Sequence, residues 1–287
     1  MDKPLVSMRL DTGAGRLSAD NRRASVFDAP VLTALAGWYG GVSITSESTD
    51  RLGFGEFLAA GRGSARVLTL GVSFYSKDEA ARRHYRRAWS GAFHDGMPAR
   101  LTVDWDGLEL SCDVVQDGEA LVTDLNPYGV SVQVPLRAAD PHLYSAWRES
   151  TLRPIGAGVG LEFPFFARDL GQGPVVTFGT AVSTDEWVWN DGNADSWPVF
   201  DVVADAPGGF AVGLGDRRVT YPWPTFPDIP VSVDMAGAVT VAGVDQSHLL
   251  GERGWASVAP QSMESPSFEF LQGGNGWATV RHRDTYI

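Results

Sequence analysis

Short runs of alternating apolar and polar residues recur along the chain, with turn residues between them. The first clear run is Arg66 to Phe74, and the clearest pair covers Leu101 to Trp105 and Leu108 to Val114. Alternation with a period of two places the apolar side chains on one face of a β-strand. Asp106-Gly107 separates the paired runs, and both residue types tolerate the positive φ of a type I′ turn. The pattern predicts a β-hairpin, with Cys112 buried in its apolar register.

One helix is predicted directly after the first run. Ser76 and Glu79 have the spacing of a capping box, which favours Ser76 as the N-cap residue. The apolar residues that follow at helical spacing are Ala81, Tyr85, Ala88, Trp89 and Ala92. Much of the opposite side is occupied by Arg82, Arg83, Arg86 and Arg87. The ordinary interpretation of such a row is a solvated face, and the alternative is a docking face for an acidic partner subunit.

The remaining pattern is typical of an all-β protein. A run from Tyr128 to Arg137 predicts a strand, and Pro135 indicates that it ends or lies at an edge there, since proline cannot donate a ladder hydrogen bond. Glycines interrupt all periodicity around residues 150–160, which predicts a boundary. We therefore expect an N-terminal β domain with one helix over residues 1–152 and a β-sandwich or jelly roll over residues 153–287. Strand-like runs in the second half are Val175–Phe178, Val199–Val203, Phe210–Leu214, Ile229–Val233, Val239–Val241 and Trp277–Arg281.

Composition and charge narrow the range of partners. Hydrophobic residues make up 44% of the sequence and charged residues 20%, as in folded proteins. The net charge of −12 disfavours specific DNA binding and suits either simple solubility or a wall past which DNA slides. The single cysteine excludes an intrachain disulfide and a Cys-based zinc site. No apolar run has signal-peptide or membrane-spanning length, so we expect folding in a reducing cytoplasm and no membrane partner.

Three motifs are candidates for chemistry, and none is complete. Asp11-Thr12-Gly13 resembles the triplet of an aspartic protease, but the sequence has no second triplet, so only a homodimer could supply the second carboxylate, and an ordinary turn is the alternative. Asp191, Asn193 and Asp195 have the spacing that opens a calcium loop, yet Ser196 and Val202 stand where such a loop needs Gly and Glu. The histidines have no metal-site spacing, and no cofactor motif is present. We therefore expect no enzyme activity, no metal and no cofactor.

Three tryptophans suggest a different kind of site. Trp187 and Trp189 are two residues apart, so on a strand they would share a face, and Trp197 follows closely. Stacked aromatic rings are how many β-sandwiches hold sugar rings. The ordinary interpretation is that these residues belong to a core or an interface. Both alternatives remain open at the level of the sequence.

The order of these features resembles the distal tail proteins of siphophages, especially those that infect actinobacteria. The resemblance covers roughly residues 50–287, and residues 1–50 and the acidic stretch Ser183–Trp189 depart from it. Its strongest stretch is Asn190–Phe200, which is similar to the family's "N-x-G-(x)n-wPvf" segment. The other matching segments are Gly61-Arg62, Arg66–Phe74, the capped helix, the Asp106-Gly107 hairpin, Leu136–Pro141, Phe163-Pro164-Phe165, Val175–Thr180 and Phe268–Ile287.

This resemblance implies a structural virion protein of the tail tip. Its N-terminal domain would form a hexameric ring, and its C-terminal domain would be a galectin-like sandwich on the outside. The ring would join the tail tube protein to a tip protein and let DNA pass through its lumen without specific binding. A carbohydrate- or receptor-binding tail module is the alternative, carried by Trp187 and Trp189. An enzyme acting through Asp11 is a third hypothesis, which the incomplete motif disfavours.

Overall fold

The computed structural model describes residues 5–21, 27–46, 48–154 and 186–287. In chain order, the elements of the first half are β1 (Val6–Thr12), β2 (Gly15–Asp20), β3 (Pro30–Ala36), β4 (Ile44–Thr45), β5 (Ser48–Asp50), β6 (Glu56–Leu58), β7 (Arg62–Gly63), β8 (Arg66–Tyr75), α1 (Glu79–Ser90), β9 (Ala99–Trp105), β10 (Leu108–Gln116), β11 (Leu121–Asn126), β12 (Gly129–Ala138) and β13 (Leu143–Tyr144). Those of the second half are β14 (Arg148–Leu152), β15 (Val188–Asn190), β16 (Val199–Asp205), β17 (Phe210–Leu214), β18 (Arg217–Tyr221), β19 (Val231–Asp234), β20 (Ala238–Val241), β21 (Val244–Asp245), a 3₁₀ turn (Ser247–Leu249), β22 (Glu252–Arg253), β23 (Ser262–Glu264), β24 (Pro266–Phe270), β25 (Asn275–His282) and β26 (Thr285–Tyr286). The fold is mainly β with a single α-helix among these residues, as predicted.

The chain divides into two units. The first comprises Met1–Ala146 with Tyr286–Ile287, and the second comprises Trp147–Thr285. The division lies slightly before the boundary expected at residue 152, because β14 pairs along its whole length with β25 of the second unit. Where independently folding domains begin and end remains a prediction.

The first unit is a sheet that closes on itself. Its strand order is β11-β12-β8-β3-β2-β1-β9-β10-β13-β26, and an additional pairing joins β12 to β10. This pairing (Val115 with Arg137 and Gln116 with Leu136) completes a seven-stranded circuit from β12 back to β12. The alternating side chains predicted to face inward, including Leu68, Leu70 and Val72, are buried in one core with Tyr85 and Trp89 of α1. The barrel or sandwich prediction is therefore confirmed.

The predicted hairpin is confirmed in register and in turn type. Leu108 pairs directly with Trp105, which leaves a two-residue loop. Both loop residues have positive φ, 55° at Asp106 and 92° at Gly107. Cys112 is buried, and burial raises the pKa of its thiol to about 12. A thiol that stays protonated in this way is a packing residue and not a nucleophile.

The prediction for Pro135 is wrong in one respect. Strand β12 does not end at Pro135 but continues to Ala138, and Pro135 pairs with Thr69 of β8. On its other side β12 pairs with β11 up to Gln133 and with β10 from Leu136 onward. The Pro135 carbonyl accepts a hydrogen bond from the Asp117 amide, so the proline nitrogen faces the gap between those two partners. A missing donor is tolerated there because no ladder bond is required.

The second unit is a β-sandwich. One sheet has the order β14-β25-β16-β19-β20-β21, the other has the order β22-β18-β17-β24, and β15 pairs with β23. Buried residues from both sheets form one core that includes Phe200, Val280, Phe210 and Phe268. The strand runs predicted from residue 199 onward are all confirmed. The predicted run Val175–Phe178 and the segment Phe163–Phe165 lie outside the described residues.

Candidate assembly surfaces and binding sites

Helix α1 does not begin with the predicted cap. Asp78 is the N-cap residue, and its side chain accepts a hydrogen bond from the Ala80 amide. Ser76 instead accepts a hydrogen bond from the Asp78 amide at 3.1 Å and donates one to Asp28 at 2.5 Å. The assignment of Ser76 as N-cap is wrong because the carboxylate of Asp28, far away in sequence, recruits this buried hydroxyl.

Three of the four helix arginines have acceptors within the chain. Arg82 donates to the Ser76 carbonyl at 2.6 Å, and Arg83 pairs with Glu79 at 3.1 Å. Arg86 pairs with Asp124 on β11. The two ion pairs, those of Arg83 and Arg86, are exposed and contribute only about 0–1 kcal/mol each, so both arginines remain available for exchange with a partner.

Arg87 lies apart from the other three arginines. Among the described residues its guanidinium has no hydrogen bond or ion pair, and it lines a cleft of about 310 Å³ with His84 and the β1–β2 turn. A second cleft of about 330 Å³ contains Arg82, Arg83 and Arg86 together with Glu79 and Asp124. The helix is therefore bordered on two sides by grooves that carry positive charge. The role of the four arginines at a subunit interface stays a prediction.

A long two-stranded arm was not predicted from the sequence. We define the arm as residues 43–64: β4 pairs with β7 at its base, and β5 pairs with β6 nearer the tip. Every side chain of the arm whose burial is described is exposed, and Leu52 and Phe54 at the tip are fully exposed. A two-stranded hairpin without a core is marginally stable in water. The arm therefore has the properties of a segment that packs on another surface.

Trp187 and Trp189 lie on the same exposed side. They alternate with Val188 and Asn190, which are fully buried, and the alternation agrees with the shared face predicted for them. The Trp189 ring is already in contact with other side chains. The Arg148 guanidinium stands 4.5 Å from its centroid, and His282 meets it edge-on at 4.7 Å. Much of Trp189 is therefore occupied, and a platform built on this pair would depend mainly on Trp187.

Trp197 lines a cleft with a tryptophan that the sequence did not single out. We call this feature, of about 310 Å³, the Trp cleft. Its walls include Trp197, Trp255, Asp216, Arg217, Ser257 and Glu264. Trp255 lies 58 residues beyond Trp197 in the numbering, so no local spacing connects the two. Only the pairing of distant segments could reveal this site.

The carboxylate of the Asp11-Thr12-Gly13 motif is held by two arginines of the same sheet. Asp11 lies on β1 and accepts hydrogen bonds from Arg16 at 2.5 Å and Arg9 at 3.1 Å. The hydrogen bond from Arg16 is the main reason why the pKa of Asp11 is lowered. An ionised carboxylate held by two arginines is a strand ion pair and lacks the shared proton that aspartic protease chemistry requires.

The Asp191–Asp195 segment is a turn organised by buried polar side chains. Asn190 accepts hydrogen bonds from the Gly192 and Thr285 amides and donates to the carbonyls of Ala194 and Val258. Asp284 accepts from the Asp191 amide at 2.8 Å and pairs with both terminal nitrogens of Arg148. Among the described residues no group of three or more His, Cys, Asp or Glu side chains is placed to hold a metal ion.

Comparison with known proteins rests on structure. No protein-family model matches the sequence, and no curated protein matches it. The crystal structure of the SPP1 Dit protein, "a Paradigm of Hub Adsorption Apparatus in Gram-positive Infecting Phages", superimposes with a TM-score of 0.62 at 13% identity, covering 98% of this chain and 99% of that chain. The chain has the fold of that protein.

A second solved structure also matches, with a lower TM-score. The phage P2 baseplate in its activated conformation with Ca contains a chain that matches with a TM-score of 0.50 at 8% identity, over 99% of this chain and 98% of that chain. The structural neighbours are thus components of a phage hub and a phage baseplate. No helix in the described part of the chain is long and apolar enough to cross a membrane.

Proposed function

We propose that this chain is a structural subunit of a phage tail hub that closes into a hexameric ring at the distal end of the tail tube. The observation that carries the proposal is agreement of fold over nearly the whole length with the SPP1 Dit protein. Agreement over both units matters, since a likeness confined to one β-sandwich would be compatible with many functions. The ring would connect the tube protein to tip proteins, which makes the chain a virion component of the siphophage distal tail family.

The exposed apolar tip of the arm favours assembly with another subunit. Its tip exposes Leu52 and Phe54 fully, and none of the arm's side chains whose burial is described is buried. Packing such apolar side chains on another protein is favourable, by about 25 cal/mol for each Å² of apolar surface removed from water. A ring of identical subunits provides one such surface to each arm through a head-to-tail contact.

Other features of the first unit fit the same contact. Strand β11 is the last strand of its sheet and exposes Leu121 and Leu125. Arg82, Arg83 and Arg86 of α1 share a cleft with residues of β11, and Arg86 pairs with Asp124 of that strand. A free strand edge and exchangeable charges are what a neighbouring subunit can engage. In this proposal Arg82, Arg83, Arg86 and Arg87 belong to the interface.

The second unit is proposed to be a galectin-like sandwich carried outside the ring. The net charge of −12 gives an acidic surface past which DNA would move without specific binding. The proposal assigns no catalytic group and no cofactor. The mechanism is assembly, in which each copy presents one surface to the next until the ring closes.

Mass measurement in solution tests the proposal. We expect the purified chain to form a closed oligomer whose mass is six times that of the monomer, and to show six-fold symmetry by negative-stain microscopy. The double variant Leu52→Ser, Phe54→Ser is expected to shift the population toward monomers, because it removes the apolar contact of the arm tip.

The control is Val244→Ser, which replaces an exposed apolar residue of the second unit and should leave the oligomer intact. Wild-type protein that remains monomeric at high concentration would contradict the ring. A ring that the arm variant leaves unchanged would retain the proposed function and refute the role of the arm.

A further inference from the structure

The Trp cleft is built from four segments of the second unit that are distant in sequence. Ser196 and Val258 exchange two backbone hydrogen bonds, of 3.0 and 2.8 Å, and so bring Trp197 beside Ser257. The Gly254 amide donates to the Arg218 carbonyl at 2.8 Å, which places Trp255 beside Arg217. Two tryptophan rings therefore reach one cleft through backbone pairing.

Two glycines permit this close packing. A side chain at Gly254 would meet the Arg218 carbonyl oxygen at 2.5 Å, so the two segments could not approach. Gly215 has a φ of +59° in the turn between β17 and β18, and a side chain there would meet Glu264 Oε2 at 2.7 Å. The Glu264 carboxylate thus lies over the turn at Gly215, the residue before Asp216, and both acidic residues line the cleft.

The charged side chains of the cleft have no partners within the described chain. Asp216, Arg217 and Glu264 make neither a side-chain hydrogen bond nor an ion pair there. Some charged groups elsewhere on this unit are paired, as Arg148 is with Asp284 and Arg281 with Asp201. Unpaired donors and acceptors between aromatic walls are available to a polar ligand.

The chemistry of the walls selects the ligand class. Two carboxylates against one guanidinium disfavour a phosphate or another anion. An apolar ligand would remove the three charged groups from water without compensation. A neutral saccharide satisfies both kinds of wall, since its C–H faces stack on indole rings while its hydroxyls donate to carboxylates and accept from Arg217. The volume of about 310 Å³ accommodates a ligand of one or two sugar rings.

We infer that the Trp cleft is a binding site for a neutral saccharide, with Trp197 and Trp255 as stacking walls and Asp216, Arg217 and Glu264 as hydrogen-bonding groups. This site is separate from a platform on Trp187 and Trp189, because neither of these residues lines the Trp cleft. The inference concerns the second unit alone and does not depend on the hub proposal.

Saturation-transfer NMR on the full chain tests the inference, since it detects weak ligands on large assemblies. The probes are the methyl glycosides of glucose, galactose, mannose, rhamnose and N-acetylglucosamine, with choline and inorganic phosphate tested separately. At least one glycoside should receive saturation, most strongly at ring C–H protons that stack on indole. Trp197→Ala should weaken its binding by about tenfold or more, as loss of an aromatic stacking contact does.

Matched variants distinguish binding in the Trp cleft from binding elsewhere on the unit and from loss of stability. Trp223→Ala removes an exposed tryptophan elsewhere on the unit and should leave glycoside binding unchanged. Asp216→Asn and Arg217→Gln keep the shape of the cleft and should weaken binding without a change in thermal stability. The inference is overturned if no glycoside receives saturation, if only choline or phosphate does, or if Trp197→Ala binds like wild type. We expect these variants to leave the oligomeric mass unchanged, so the two proposals fail independently.

Discussion

Asn190 and Gly192 hold the turn that precedes β16. Asn190 is fully buried, and both ends of its amide are used: its oxygen accepts from two backbone amides and its nitrogen donates to backbone carbonyls. A Cβ at Gly192 would meet the Thr285 carbonyl oxygen at 1.8 Å, so only glycine fits. These hydrogen bonds and this close approach explain why the "N-x-G" part of the segment Asn190–Phe200 needs asparagine and glycine at these positions.

Replacement of Asn190 by alanine is expected to lower the free energy of unfolding by about 2–4 kcal/mol, because it leaves several buried backbone groups unpaired. Urea unfolding followed by tryptophan fluorescence measures the change. Asn275→Ala is the control, since Asn275 is exposed at the start of β25. Equal losses in the two variants would contradict this role for Asn190.

His282 is expected to make the stability of the second unit depend on pH. Burial, and next the positive charge of Arg148, lower the pKa of His282 from 6.5 to about 4, with Asp284 acting in the opposite sense. Between these values the unfolded chain binds a proton that the folded chain does not. The free energy of unfolding should therefore fall as the pH drops from 6.5 to 4, by up to about 3 kcal/mol, and be unaffected by this group above pH 6.5.

The measurement is a series of urea titrations across that pH range on wild type and His282→Phe. The variant keeps a ring beside Trp189 but cannot bind the proton, so its stability should vary less with pH. Parallel pH curves for the two proteins would show that His282 has no such effect.

At the scale of elements, sequence patterns predict an element correctly where its conformation depends only on neighbouring residues. The β9–β10 hairpin is predicted correctly because Asp106 and Gly107 accept positive φ and the flanking residues alternate. The cap of α1 is predicted incorrectly because Ser76 is engaged by Asp28, a residue distant in sequence. Elements whose ends depend on such partners cannot be delimited from spacing alone.

Gly107→Ala is expected to destabilise the first unit by about 1–2 kcal/mol. Its φ of 92° is unfavourable for a residue with a Cβ, although nothing lies within 4 Å of the added atom. Thermal unfolding compared with Gly40→Ala provides the measurement, because Gly40 is equally open but lacks a positive φ. A neutral Gly107→Ala would mean that the turn relaxes at no cost.

At the scale of the whole molecule, the two units have separate hydrophobic cores. One core is centred on residues such as Leu70 and Trp89, and the other on residues such as Phe200 and Phe268. Residues that share one hydrophobic core unfold together. Because the two units have separate cores, we expect each to unfold in its own transition.

Differential scanning calorimetry is therefore expected to show two transitions. Asn190→Ala should lower the temperature of one transition and Gly107→Ala that of the other, each leaving its counterpart in place. A single transition that both variants shift equally would indicate that the units unfold as one.

The sequence alone was sufficient for the fold class, the β9–β10 hairpin, helix α1 and five strands of the second unit, β16, β17, β19, β20 and β25. These features depend on residue periodicity and on φ preferences, which act over a few neighbouring residues. Tertiary structure alone revealed the closure of β12 onto β10, the exposed arm, the true helix cap and the meeting of Trp197 with Trp255. Each of these arises from contacts between residues far apart in the chain, where backbone pairing and close approach at glycines such as Gly254 decide which side chains meet.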